Sequence, residues 1–351
     1  MTPPVTGCQS VSMSDIVADA VWMVRGAWVS MALRAGCLLG VFDALGERRT
    51  ADAVAAAVDA DSESVARYLR FLVDLRLLDH DDSGFLVTEL GATFRSDHPA
   101  RVRDLVLMQT DLPSVAAWHA LDDALRTGAG TYRPVNGLSH WEHLSAHPEE
   151  ERTFNAAMAR RGTVQAGVLL ASGVLEGVST VVDVGGGRGA MVAALLAERP
   201  DLQGVVADRP AVAQEATALL AAQGLGDRGR GVGCDFFASV PSGGDAYTMG
   251  HVLHDWTDDE CVAILGRVRD AMAADARLLV LERVVDAPDR GPVEQRDLHL
   301  MDLHMLVLFG ARERTRAEYD ALLVAAGFET PRLVATGDWN VLEARLPDPP
   351  E

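Results

Sequence analysis

Two stretches of this sequence carry groups able to do acid–base or ligand-binding chemistry. One is the glycine loop Asp183-Val184-Gly185-Gly186-Gly187-Arg188-Gly189-Ala190, and the other is Met249-Gly250-His251-Val252-Leu253-His254-Asp255-Trp256-Thr257-Asp258-Asp259-Glu260. The second holds a His-Asp pair, His254 and Asp255, just after a short apolar run. An imidazole of ordinary pKa, about 6.5, exchanges its proton near neutrality. What the chain lacks narrows the chemistry further. All 31 cationic residues are arginine, and no lysine occurs anywhere. Lysine Schiff bases are therefore excluded, and with them pyridoxal-phosphate enzymes and class I aldolases. A G-x-x-x-x-G-K-[ST] nucleotide loop is excluded as well. Any general base must be His, Asp, Glu, Tyr or Cys.

The glycine loop allows a tight turn and close approach of a ligand, and the helix after it offers free N–H groups. Read as Gly185-x-Gly187-x-x-Ala190, it fits the dinucleotide template, with Asp208 set to hold a ribose. A nicotinamide dehydrogenase is one reading. Two further acids favour another. Asp183 stands two residues before the first glycine, and Asp235, followed by Phe236-Phe237, ends a third strand-like run. A pyrophosphate gains nothing from acids there. A ligand with an ammonium, a ribose and an adenine does, and S-adenosylmethionine (AdoMet) is such a ligand. Asp183 would then lie near the methionyl end, Asp208 would accept from the ribose hydroxyls, and Asp235 would accept from the adenine amine. Phe236 would pack on the adenine face. Each acid also suits an ordinary turn or cap.

The elements that must position these groups follow from periodicity. Residues 14–46 read as one or two helices apolar on most faces, which must be buried somewhere, often in a partner subunit. Thr50 caps a helix over 51–58, Ser62 with Asp61 starts a second over 63–77, and Phe85-Leu86-Val87 follows a turn as a strand: a winged-helix pattern. More helices follow, with loop chemistry over 127–137 and a helix from Pro148 through Ala159. From Thr180 short strands alternate with helices, which predicts a parallel, doubly wound α/β sheet with its ligand at the C-terminal strand ends.

Composition excludes other classes. Between 48 and 100 there are six arginines and ten acids, and the whole chain carries a charge of −20, so a winged helix used on DNA lacks its basic face. The same balance argues against an anionic membrane. Cys8, Cys37, Cys234 and Cys261 have no metal-like spacing and read as reduced thiols. No signal peptide is visible, and no charge-free window is long enough to span a bilayer, so a cytoplasmic location is expected.

With these pieces together, the sequence resembles the AdoMet-dependent small-molecule O-methyltransferases of the plant caffeate type and their bacterial relatives from polyketide and other natural-product pathways, antibiotic biosynthesis among them. The resembling pieces are VVDVGGGRGA (181–190), the Asp208-Arg-Pro turn, CDFF (234–237), HVLHDWTDDEC (251–261), LERVV (281–285) and DLHMLVLFGARERT (302–315). The resemblance implies a mainly α winged-helix dimerisation domain over 1–110 and a helical linker over 111–174 that contributes to the substrate pocket. It implies a Rossmann-like AdoMet-binding domain with a mostly parallel seven-stranded sheet over 175–351. It also implies transfer of a methyl group to a phenolic hydroxyl, leaving S-adenosylhomocysteine, with His254 as general base. Glu282 and Glu313 match the two carboxylates that hold this imidazole, and Asp255 is a neighbouring acid. No metal is needed in that scheme, and no cluster with metal spacing competes with it.

One position departs from the family. Plant members often carry Lys four residues before the catalytic His, near the AdoMet carboxylate; here it is Gly250, and Arg161 is the candidate replacement. Met158, Phe154, Trp118, Met305 and Phe309 are candidate walls for a planar ring, with Trp256 at the pocket edge. His251, His299 and His304 read as structural or surface residues. A homodimer is implied, with no nucleic acid or membrane partner. An AdoMet-binding relative with another activity remains a third reading.

Overall fold

A computed structural model describes residues 12–288, 290–335 and 337–348; Cys8 lies outside them. Among the described residues Cys37, Cys234 and Cys261 are free thiols. The chain forms two compact units, one ending at Thr110 and one beginning at Asp111.

In the first unit the apolar N-terminal run makes three helices, Met13–Val24, Gly26–Leu39 and Val41–Ala44. Ser12 and Asp15 close a capping box on the first, which has no buried residue. Met23, Val24 and Trp28 are 78%, 82% and 71% exposed, an apolar patch that the described residues leave uncovered. Among the described residues no single helix is long and apolar enough to cross a membrane; only the bent pair Met13–Val24 and Gly26–Leu39 meets that test of length and composition. Helices Ala51–Ala57 and Ser62–Asp74 follow, with Thr50 and Asp61 as caps. Asp61 alone takes the cap, with Ser62 as the first helical residue: its carboxylate accepts from the Ser64 N–H at 2.8 Å. Strands β1 (Leu78–Asp81) and β2 (Gly84–Val87) form the antiparallel wing. Phe42, Val54, Leu69, Leu72 and Phe85 pack as its core.

In the second unit seven strands form one sheet: β3 (Thr180–Val184), β4 (Gln203–Asp208), β5 (Gly229–Gly233), β6 (Ala246–Gly250), β7 (Arg277–Glu282), β8 (Arg332–Ala335) and β9 (Asn340–Arg345). Their order is β5-β4-β3-β6-β7-β9-β8. The first five run parallel, and β9 pairs antiparallel with both β7 and β8. Successive side chains of β3 alternate between two cores. Val182 and Val184 join one cluster with Leu278, Val280 and the helix Asp258–Ala271, while Val181 joins the other with the helices Ala190–Glu198 and Pro210–Ala222. Each such fully buried side chain stabilises by roughly 1.5–3 kcal/mol.

The helix from Pro148 runs on to Ser172, well past Ala159. Gly162 does not stop it. A Cβ there would come within 2.9 Å of the Met191 backbone, so the glycine serves close packing against Ala190–Glu198, and Gly173 at φ +72° ends the helix. The expected loop at 127–137 contains a short helix, Tyr132–Asn136.

Candidate active site

The C-terminal ends of β3, β4, β6 and β7 converge on the predicted groups. Asp183 lies on β3, 1% exposed, and its Oδ1 accepts from the Thr248 hydroxyl at 2.9 Å. Burial pushes its pKa up to about 7. Beyond it Gly185 and Gly187 adopt φ +72° and +57°, the left-handed region that glycine enters without penalty. A Cβ on Gly185 would strike Val252 at 2.7 Å, whereas at Gly187 nothing lies within 4 Å. The loop therefore packs on one side and opens on the other. Gly189 caps the following helix without a side-chain acceptor. At the end of β4, Asp208 accepts from the Gly187 N–H at 2.8 Å and the Arg209 N–H at 2.7 Å, and burial raises its pKa. Asp235 lies two residues beyond β5, exposed, closing a turn on the Phe237 N–H at 3.0 Å. Phe236 and Phe237 meet Trp256 edge-on at 5.8 and 4.9 Å.

His254 sits in a one-turn 3₁₀ segment, Leu253–Asp255, after β6. The ring is 3% exposed, Nδ1 lies 2.8 Å from Glu313 Oε1, and Nε2 lies 3.4 Å from Asp255 Oδ1. Burial opposes a charged ring, but the carboxylates of Glu313, Asp255 and Glu282 outweigh it and push the pKa up to about 10. This departs from the unperturbed value that the sequence suggests. Burial also raises Asp255 to about 6 and Glu282 to about 7. One correction concerns Glu282. It does not bond the imidazole; its Oε1 accepts from the backbone N–H of Val252 and Leu253 at 3.1 and 2.9 Å. It holds the segment that carries the ring and acts on His254 through charge alone.

Arg314, fully buried, was not singled out from sequence. Its guanidinium donates to the carbonyls of Leu253 and Trp256, each at 2.7 Å, and to Asp258 Oδ1, so it fastens the His254 turn at both ends. Gln165 was also missed. A side chain at Gly250 would meet its amide at 2.7 Å, so Gln165 fills the room that a longer residue would need. Arg161 Nη1 lies 3.2 Å from His251 Nδ1 and 3.7 Å from Met158 Sδ. Burial lowers its pKa, against the carboxylates of Glu313 and Asp255.

The candidate ring walls divide. Phe154 and Phe309 meet His140 at 5.6 and 5.5 Å and Trp141 at 5.7 and 5.5 Å. Trp118 bonds His304, Met305 is buried, and Trp256 instead packs with Phe236 and Phe237. His140 and Trp141 were missed, although their adjacency in a helix start was a visible aromatic signal. The ligand atoms of His251, His254 and Glu282 fall within 4.8 Å of one another, a grouping hidden by their sequence spacing. The Arg161 cation against His251 disfavours a divalent ion there.

Comparison with known proteins identifies the family. An O-methyltransferase domain model matches residues 118–329, and an O-methyltransferase dimerisation domain model matches residues 22–97. A mitomycin biosynthesis 6-O-methyltransferase of Streptomyces lavendulae is 37% identical over 319 residues, 90% of each chain. The solved structure of a mitomycin 7-O-methyltransferase aligns with a TM-score of 0.86 at 34% identity, covering 95% of this chain and 98% of the other. The O-methyltransferase of neocarzinostatin biosynthesis, solved with AdoMet and 2-hydroxy-5-methyl naphthoic acid, aligns at 0.76 with 32% identity, covering 91% and 96%. These matches set aside the dehydrogenase reading. The chain belongs to the AdoMet-dependent O-methyltransferases.

Proposed function

We propose that this enzyme methylates a phenolic hydroxyl of a small aromatic or polyketide-derived compound, with His254 as general base. The observation that carries the proposal is the buried His254–Glu313 pair: a carboxylate on Nδ1 fixes that hydrogen and leaves Nε2 to take a proton. Asp255 on the far side supports the charge that the ring gains. Glu282 and Arg314 hold the turn so that the ring keeps its aim.

The residues fit AdoMet. Gly187 opens into free space beside Asp208, and Asp183, Asp208 and Asp235 lie at or just beyond the ends of the successive neighbouring strands β3, β4 and β5. Gly185 and Gly187 would admit the cofactor, with Asp183 toward its amino-acid end, Asp208 at the ribose, and Asp235 with Phe236 at the adenine. Arg161 and the Gly250 region would face its carboxylate end. When bound, AdoMet supplies an electrophilic methyl on a sulfonium whose positive charge favours loss of the His254 proton. Alignment of the hydroxyl oxygen with that methyl supplies much of the acceleration. Met158, Phe154 and Met305 would contact the ring, with Trp256 closing the edge. A homodimer is the expected state, supported by the dimerisation-domain match and by the uncovered apolar helix Met13–Val24.

The test is incubation of the purified enzyme with labelled AdoMet and a panel of hydroxylated aromatics, reading O-methylated product by mass spectrometry. Cofactor binding without any methylated product would overturn the proposal.

A further inference from the structure

Two further imidazoles, His251 against His254 and His304 against Trp118, have their tautomers set by partners that can only donate. Arg161 Nη1 lies 3.2 Å from His251 Nδ1, and Trp118 Nε1 lies 2.9 Å from His304 Nδ1. Neither a guanidinium nor an indole N–H accepts a hydrogen bond, so both Nδ1 atoms must. A neutral ring that accepts at Nδ1 carries its hydrogen at Nε2. Burial keeps both rings neutral: it drives His251 well below the usual range, aided by His254 and Arg161, and His304 down to about 4, aided by Arg161 and His254. The site therefore contains a base and, on His251, a fixed N–H donor next to it.

The backbone at His251 carries a second signal. It is one of four described non-glycine residues at positive φ, at +56°, a conformation that persists where the surroundings hold it. The ring is clamped between His254, with centroids 4.2 Å apart, and Trp339, at 4.5 Å. Yet His251 Nε2 is buried and meets no acceptor among the described residues. A buried donor left without a partner is costly, and an acceptor atom on a ligand is what removes that cost.

We infer that His251 reads a second oxygen on the acceptor: a carbonyl, carboxylate or quinone oxygen adjacent to the hydroxyl that is methylated. This rests on the proposed phenol methylation. His254 removes the hydroxyl proton and so cannot also donate, whereas an adjacent carbonyl oxygen has only lone pairs to offer. The Arg161 charge behind His251 polarises its N–H and strengthens the bond to an electron-rich oxygen. The substrate class is thus the hydroxy-carbonyl aromatics, such as hydroxyaryl ketones, hydroxyaryl acids and hydroxyquinones.

The test compares 1-hydroxy-2-acetonaphthone with 2-ethyl-1-naphthol, which differ in the ketone oxygen. Preference is read as the ratio of dissociation constants in the complex with S-adenosylhomocysteine and as the ratio of kcat/KM. The wild type should prefer the ketone. His251→Gly, which also relieves the left-handed backbone, should lower that preference roughly 10-fold or more. His251→Gln, with an N–H near the position of Nε2, should recover part of it. AdoMet affinity should stay unchanged. Equal treatment of the two compounds by the wild type, or a preference unmoved in His251→Gly, would overturn the inference. Lost AdoMet affinity with the preference intact would overturn it too, by assigning the donor to the cofactor carboxylate. Full turnover by His254→Ala would instead sink the base reading beneath it.

Discussion

His254 Nδ1 and Glu313 Oε1 lie 2.8 Å apart, both side chains nearly inaccessible, across 59 positions of sequence. The pair has a kinetic consequence. Because the carboxylates raise the ring pKa to about 10, the imidazole is protonated at neutral pH and becomes a free base only as pH rises. The kcat/KM profile should therefore climb on the alkaline side of neutrality. Glu313→Gln removes the first of those carboxylates, so the ring pKa falls and the rising limb moves to lower pH. His254→Ala should cost about 10²–10⁴-fold in kcat, the span of general base catalysis. Rate–pH profiles of the three proteins check both statements, and an unmoved limb in Glu313→Gln contradicts the coupling.

Gly250 and Gln165 share one volume. Gly250→Lys alone should destabilise by about 1–3 kcal/mol through overpacking. Adding Gln165→Ala should recover most of that loss, because the two changes act on the same space and are not additive. Denaturant melts of the two single variants and the double variant measure the interaction; strict additivity would show that the volumes are independent.

Asp183 is buried with a pKa raised from 3.8 to about 7. A carboxyl raised on folding costs nothing below about pH 4, where it is protonated in both states. Its penalty grows as pH rises to about 7 and is fully present above that. Asp183→Asn keeps a partner for Thr248 and removes the penalty. The variant should therefore gain stability over the wild type at pH 8, on the order of a few kcal/mol, with little gain at pH 4. Thermal melts at the two pH values decide the matter.

The exposed Met23, Val24 and Trp28 point to a contact between two chains. Sedimentation at micromolar concentration should show a dimer, and Trp28→Glu together with Val24→Glu should shift it toward monomer. A monomeric wild type would refute this.

Local chemistry was readable in advance. The strand–loop–helix at Asp183–Ala190, the caps at Thr50 and Asp61, and the His254-Asp255 pair followed from short-range spacing, because turns, caps and periodicity depend on neighbours in sequence. So did the exclusion of lysine mechanisms, which needs only a count. The partners of buried polar groups were not readable. That Glu313 rather than Glu282 bonds His254, that Arg314 fastens the turn, that Gln165 fills the space at Gly250, and that Arg161 and Trp118 set the tautomers of His251 and His304 are contacts between distant segments. A side chain's type states which bonds it can make, but burial decides which of them must be made and packing decides with whom. The same distinction explains the raised His254 pKa: the sequence supplies a histidine, and only the fold brings three carboxylates around it in a site that excludes water.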